Sequence, residues 1–187
     1  MTRRVLIDAN IFYSQVLTDW LFFIHAYMDT SFTLICTEDI LAETRYHLRK
    51  RYPSASSAIV NHRISKIKMC IDELVEFQGH NTGVPDVGDL HVHAAAVDGQ
   101  VDVLLTHNTK DFPPPRHYEV LTPDIFFMEV ATDAQNTNQL TEIIKLQVDY
   151  MRQKGKSHRL DIYLERAGCP KFSRYIHNLM GEIGYYE

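Results

Sequence analysis

Four acids occupy positions from which they could act together. Asp8 follows the short apolar run Val5, Leu6, Ile7, and Glu43 sits about one helical turn past Thr37. Asp89 stands at the head of an alanine-rich helix through Ala94, beside its positive N-terminus. Asp111 lies in the loop that follows a second apolar run ending at Leu105 and Thr106, together with Asn108. In open α/β sheets ligands bind where loops converge at the carboxyl ends of the strands, so the four acids reach one rim if the two runs are neighbouring strands. Two carboxylates about 4 Å apart repel by roughly 1 kcal/mol in water and about 4 kcal/mol at an effective dielectric of 20. A divalent cation offsets that repulsion, and hard oxygen donors select Mg2+ or Mn2+. The chemistry that follows is phosphodiester hydrolysis, with the ion orienting water and stabilising the leaving oxygen.

The elements that must carry these acids are legible in the pattern. Residues 5–7, 32–36, 101–105 and 118–121 read as strands. Between them, Phe12, Val16, Trp20, Phe23 and Tyr27 recur at helical spacing, Thr37 caps a helix through Leu48 that Pro53 ends, and Ser54 or Ser56 caps another through Ile59, Ile64, Ile67, Ile71 and Leu74. Residues 80–89 read as a loop, and Thr122 with Pro123 opens a helix through Phe126 and Val130. Strands alternating with helices predict a parallel sheet covered on both faces, an α/β/α sandwich. The polar stretch 132–139 divides the chain into residues 1–131, which carry the acids, and a helical C-terminal extension, residues 132–187. That extension predicts three helices, with Gly168 ending the second and Gly181 the third.

Composition narrows the function. A chain of 187 residues that is 45% hydrophobic, with 7 Pro and 8 Gly, is an ordinary globular protein. It has neither an apolar segment of membrane-spanning length nor a leader pattern, which predicts the cytosol. Cys36, Cys70 and Cys169 lack zinc or disulfide spacing. A net charge of −5 argues against indiscriminate polyanion binding, yet residues 45–68 hold seven cations and no acid. This run is either a solvated helix face or a platform for phosphates.

The segments LIDANIF, ILAETRYHL, GDLHVHAAAV and VLLTHNTKDFP occur in the order of the acidic motifs of PIN-domain ribonucleases, and the chain resembles in particular the VapC-type toxins. The likeness spans roughly residues 4–130, and LERAGCPKFSRYI resembles a helical extension found in a subset of those toxins. The resemblance implies a metal-dependent endoribonuclease in which Asp8, Glu43 and Asp89 coordinate Mg2+ or Mn2+ and Asp111 completes the catalytic set. Asn10 resembles the residue that orients the first Asp, while Asn108, Arg45 and Thr106 would contact substrate or brace the acids. Asn108 stands where many relatives carry Asp, and Asp86 rivals Asp89. The resemblance further implies an RNA substrate, a homodimer and neutralisation by a cognate antitoxin.

Other chemistries fit less well. His91 and His93, two apart on a helix, point to different faces and cannot share an ion. His93 could hydrogen-bond Asp89 four residues earlier, and His107 could touch substrate. Asn10 lacks the acid that a haloacid dehalogenase-type phosphatase needs two residues after Asp8, and no glycine-rich phosphate loop occurs. The alternative from another class is a catalytically inactive PIN-like module that binds RNA.

Overall fold

Residues 5–7, 32–36 and 103–105 become adjacent central strands in the computed structural model, which describes residues 2–28, 32–78, 87–112, 114, 116–132 and 137–185. The strands are β1 (Arg3–Ile7), β2 (Phe32–Cys36), β3 (Glu73–Leu74), β4 (Val103–Leu105) and β5 (Glu119–Leu121). They form one parallel sheet in the order β3-β2-β1-β4-β5. Helices α1 (Ala9–Tyr13), α3 (Glu38–Arg51), α4 (Ser57–Cys70) and α5 (Leu90–Asp98) flank it in the expected α/β sandwich, and α2 (Gln15–Tyr27) and α6 (Pro123–Ala131) also fall in this part of the sequence. Three more, α7 (Thr137–Gln153), α8 (Leu160–Arg166) and α9 (Pro170–Glu182), follow in the C-terminal part. Val5, Leu6, Ile7, Leu34, Ile35, Val103, Leu104 and Leu105 are fully buried, as two-sided burial of parallel strands requires.

The chain folds as two compact units: Met1–Thr18 with Ser31–Thr122, and Asp19–Thr30 with Pro123–Glu187. In the first, the order of strands reverses between β1 and β4. The chain runs outward from β1 through β2 to β3, then returns to the other side of β1 as β4. This reversal is the switch point at which open α/β sheets bind ligands, and the register Ile7↔Leu105 places Asp8 and Thr106 side by side just beyond it. Gly99, after α5, is required by space: a Cβ there would lie 2.7 Å from the Ala95 carbonyl oxygen.

In the second unit Trp20 meets Phe172 edge-on at 5.1 Å between ring centres, and Phe127 packs against the same ring at 5.1 Å. The Cys169 side chain does not cap α9. Asp124 supplies the missing acceptor, its carboxylate taking the backbone N–H groups of Phe172 at 2.9 Å and Lys171 at 3.3 Å. Nearby, the buried Asp161 is gripped by Arg159 at 3.0 and 2.8 Å and by His177 Nδ1 at 3.0 Å.

Several local expectations shift. The helix expected through Phe12 and Tyr27 is interrupted at Ser14, whose backbone is extended and whose hydroxyl accepts the Leu17 N–H, starting α2 afresh. The buried face is therefore Leu17, Trp20, Leu21 and Ile24, and Tyr27 is half exposed. Thr37 and Ser56 cap α3 and α4 through Ile40 N–H and Ile59 N–H, but α4 buries Val60 rather than Ile59, and Leu74 belongs to β3. Helix α7 begins at Thr137, inside the stretch read as a linker. Helix α9 runs through Gly181, and Gly184 carries the left-handed backbone beyond it, φ +78°. Most of the loop 80–89, including Asp86, and positions 133–136 of the linker lie outside the described residues.

Candidate active site

At the end of β1 the backbone of Asp8 bonds across the sheet, its N–H donating to the Leu105 carbonyl at 3.1 Å. Asp8 as a whole is 4% exposed. Thr106, fully buried at the end of β4, donates its hydroxyl to Asp8 Oδ2 at 2.6 Å. The Asn10 amide also donates to Oδ2, and to the Thr106 oxygen at 2.8 Å. Thr106 Oγ1 accepts the Asn108 N–H at 3.0 Å as well, which saturates the hydroxyl with one bond given and two received. Asn10 is fixed in turn by the His107 N–H, which donates to its Oδ1 at 3.2 Å. No side-chain donor among the described residues falls on Asp8 Oδ1.

Glu43 arrives from α3 and is met by three side chains. Tyr13, at the end of α1, donates its hydroxyl to Oε1 at 2.7 Å. His47, one turn along α3, places Nε2 3.7 Å from the same oxygen. His91 in α5 donates from Nδ1 to the Gly88 carbonyl at 2.8 Å, which leaves Nε2 to face Glu43 Oε2 at 3.4 Å. That contact is an ion pair when His91 is protonated rather than a formed hydrogen bond. His91, then Tyr13, hold the Glu43 carboxyl below its usual range against the opposing effect of burial, and Glu43 raises His91.

Asp89 occupies the N-cap position of α5 without capping it through its side chain. Its charge, with that of Glu43, raises Asp8, whose pKa is pushed up to about 6 chiefly by burial and in spite of the Thr106 hydroxyl. Burial, the bond to Glu43 and the charges of Glu43, Asp8 and Asp89 all push the Tyr13 phenol upward. Three of the acids expected together thus act on one another and on one tyrosine. Asp111 ends a 3-10 turn after Asn108; it is half-buried, and its carboxylate makes no hydrogen bond or ion pair among the described residues. Arg45 is exposed on α3, about 200° around the helix from Glu43 at 3.6 residues per turn. His93 turns instead to the Tyr118 hydroxyl.

Oxygen donors on Asp8, Glu43 and Asp89 fit a hard divalent cation, and burial of Asp8 beside two further negative charges gives such an ion something to offset. Among the described residues no three His, Cys, Asp or Glu side chains are gathered closely enough to hold one as they stand. Glu43 is turned toward Tyr13 and the histidines.

A PIN-domain family model matches residues 4–110, the stretch that contains Asp8, Asn10, Glu43, Asp89 and Thr106 and ends one residue before Asp111. The chain belongs to the PIN-domain family. No curated protein and no solved structure matches it. PIN domains are in general nucleases that act on RNA, commonly with a divalent metal ion. Within this PIN domain the sequence missed Tyr13 and His47 as partners of Glu43, and set His91 aside because it could not share an ion with His93. Nothing in a one-dimensional pattern links Tyr13 to Glu43, since they meet only when α1 lies along α3. Among the described residues no helix of the PIN-domain protein is long and apolar enough to cross a membrane.

Proposed function

We propose that this chain is a metal-dependent endoribonuclease that hydrolyses RNA phosphodiester bonds, and that it is the toxin of a type II toxin–antitoxin pair of the VapC kind, acting in the cytoplasm. What carries the reading is Asp8: a carboxylate buried at the sheet's switch point, oriented by Thr106 and Asn10, with the charges of Glu43 and Asp89 close enough to raise it. Buried charges are costly unless paired or bound to a metal, and a network of fixed donors that prepares Asp8 in one orientation is what ion binding needs. Asp8, Asp89 and Glu43 would hold Mg2+ or Mn2+, which supplies activation of water and stabilisation of the leaving oxygen when bound. Asn10 and Thr106 keep Asp8 aimed, while Asp111 and Asn108 would act from the loop after β4, on the ion or on the substrate. Arg45 opens the basic stretch that meets phosphates. A cognate antitoxin and a homodimer complete the proposal, both resting on the resemblance to VapC-type toxins.

The test is cleavage of structured RNA by the purified chain with Mg2+ or Mn2+, beside Asp8→Asn and Asp89→Asn. Loss of at least a hundredfold in both variants is expected; cleavage untouched by both ends the catalytic assignment. Two points favour a second reading, an inactive RNA-binding module: Asn108 stands where the resemblance to PIN-domain ribonucleases calls for an acid, and Glu43 is held by Tyr13 and His91. Metal-independent RNA binding with no cleavage under any divalent ion would select it.

A further inference from the structure

Away from the acids, the wall formed by Tyr13 and His47 continues into a groove. The two rings lie 4.6 Å apart, tilted by 36°. With Leu48, Lys50 and Arg51 they line a pocket of about 220 Å³. Leu48 and Arg51 also line a second pocket, of about 660 Å³, whose other walls include Tyr52, Pro53, Ile59 and Arg63. The two pockets therefore adjoin, and one end of the pair is built from a residue that bonds Glu43.

The groove is braced. Arg49 donates to Ser57 Oγ at 3.0 Å, tying the end of α3 to the start of α4, and Arg63 donates to the Phe12 carbonyl at 2.8 Å, tying α4 to α1. Tyr52 and Ile59 are nevertheless 46% and 63% exposed, and the Arg51 guanidinium lies 5.7 Å from the centre of the Tyr52 ring. No acid occurs between Glu43 and Asp72 in the sequence, in a chain whose net charge is −5. Aromatic faces interleaved with cations form a surface suited to single-stranded nucleic acid, since bases stack on rings while the cations follow the phosphates. A duplex could not use it, because its bases present only their edges.

We infer that this groove carries an unpaired RNA strand away from the acidic cluster, with Lys50 and Arg51 on its phosphates and a base seated between Tyr52 and Ile59. The inference rests on the nuclease reading for its direction, not for its existence. An acidic peptide is the competing occupant; the ring faces and the continuity with Tyr13 favour RNA.

The experiment measures anisotropy of fluorescein-labelled RNA, as a 12-nucleotide unpaired strand and as a 12-base-pair duplex, on the full chain carrying Asp8→Asn. The unpaired strand should bind more tightly than the duplex. Adding Tyr52→Ala should weaken that binding about tenfold, in line with the loss of one base stack, whereas Tyr52→Phe should not. Arg51→Gln should lower the slope of log K against log salt by about 0.7, and Lys145→Ala, on α7, should change neither quantity. Unaltered affinity in both Tyr52→Ala and Arg51→Gln overturns the inference, as does equal or tighter binding of the duplex. Loss of a co-purified protein partner with RNA affinity intact overturns it in favour of the peptide. If the otherwise unmodified chain cleaves RNA with the same KM after Tyr52→Ala and Arg51→Gln, the groove assignment falls and the nuclease stands. If it cleaves nothing while those variants lose RNA binding, the reverse holds.

Discussion

Thr106 donates its hydroxyl to Asp8 Oδ2 at 2.6 Å from the end of the neighbouring strand. The pairing is a direct product of the register between β1 and β4, in which Ile7 faces Leu105. Replacing Thr106 by Val keeps the shape and removes the hydroxyl, leaving Asp8 with one donor fewer, the Asn10 amide with Asp8 as its remaining acceptor and the Asn108 N–H without its acceptor. Thr106→Val is expected to cost about 1–3 kcal/mol in denaturant unfolding and to reduce RNA cleavage at unchanged substrate affinity.

Asp8 makes the metal-free protein sensitive to pH. Its folded pKa, about 6, lies above the ordinary value of 3.8. The raised group favours the fold fully below the ordinary value, and that contribution is lost as pH rises through about 6. Asn cannot ionise and can still accept from Thr106 and Asn10. A tenfold change in an acid's ionisation constant between the unfolded and folded chain is worth about 1.4 kcal/mol. In EDTA, Asp8→Asn should therefore be more stable than the parent by about 3 kcal/mol at pH 8, with the advantage vanishing near pH 4. Thermal melts at the two pH values check this, and a variant less stable at pH 8 contradicts it.

Metal addition should act in the opposite sense. An ion that binds only the folded chain stabilises it by about 2.7 kcal/mol at a concentration a hundred times its Kd. Mn2+ at neutral pH is expected to raise the melting temperature of the parent and to leave Asp8→Asn and Asp89→Asn unmoved. Equal shifts in all three would place the ion elsewhere.

In the second unit Asp124 caps α9 from another helix. Asp124→Ala removes both acceptors from a buried helix start, and a loss of about 1–2 kcal/mol is expected. Urea unfolding measures it, and Asp124→Asn, which retains one acceptor, should recover part of the loss.

The sheet and the placement of Asp8 at the end of a strand, Glu43 in the helix capped by Thr37 and Asp89 at the head of an alanine-rich helix were legible because each depends on local signals: an apolar run that ends in a carboxylate, a Thr cap six residues before an acid, an acid opening an alanine-rich helix. Burial of strands on both faces writes itself into composition. The partners of Glu43 were not legible. Tyr13 and His91 reach it from α1 and α5, and side-chain direction across separate helices has no trace in spacing. The break at Ser14 was hidden for a different reason, since apolar periodicity runs on through a residue whose hydroxyl ends one helix and begins the next. A two-residue strand such as β3 is too short to show any period at all.

The contact between Trp20 and Phe172 joins residues about 150 positions apart. During synthesis at about 5–20 residues per second, Trp20 emerges roughly 10–30 s before the ring it meets. A nascent chain of this protein thus carries the Trp20 indole without its Phe172 partner through most of translation, and a ribosome stalled before α9 would release a fragment lacking that contact and prone to aggregate or to be captured by a chaperone.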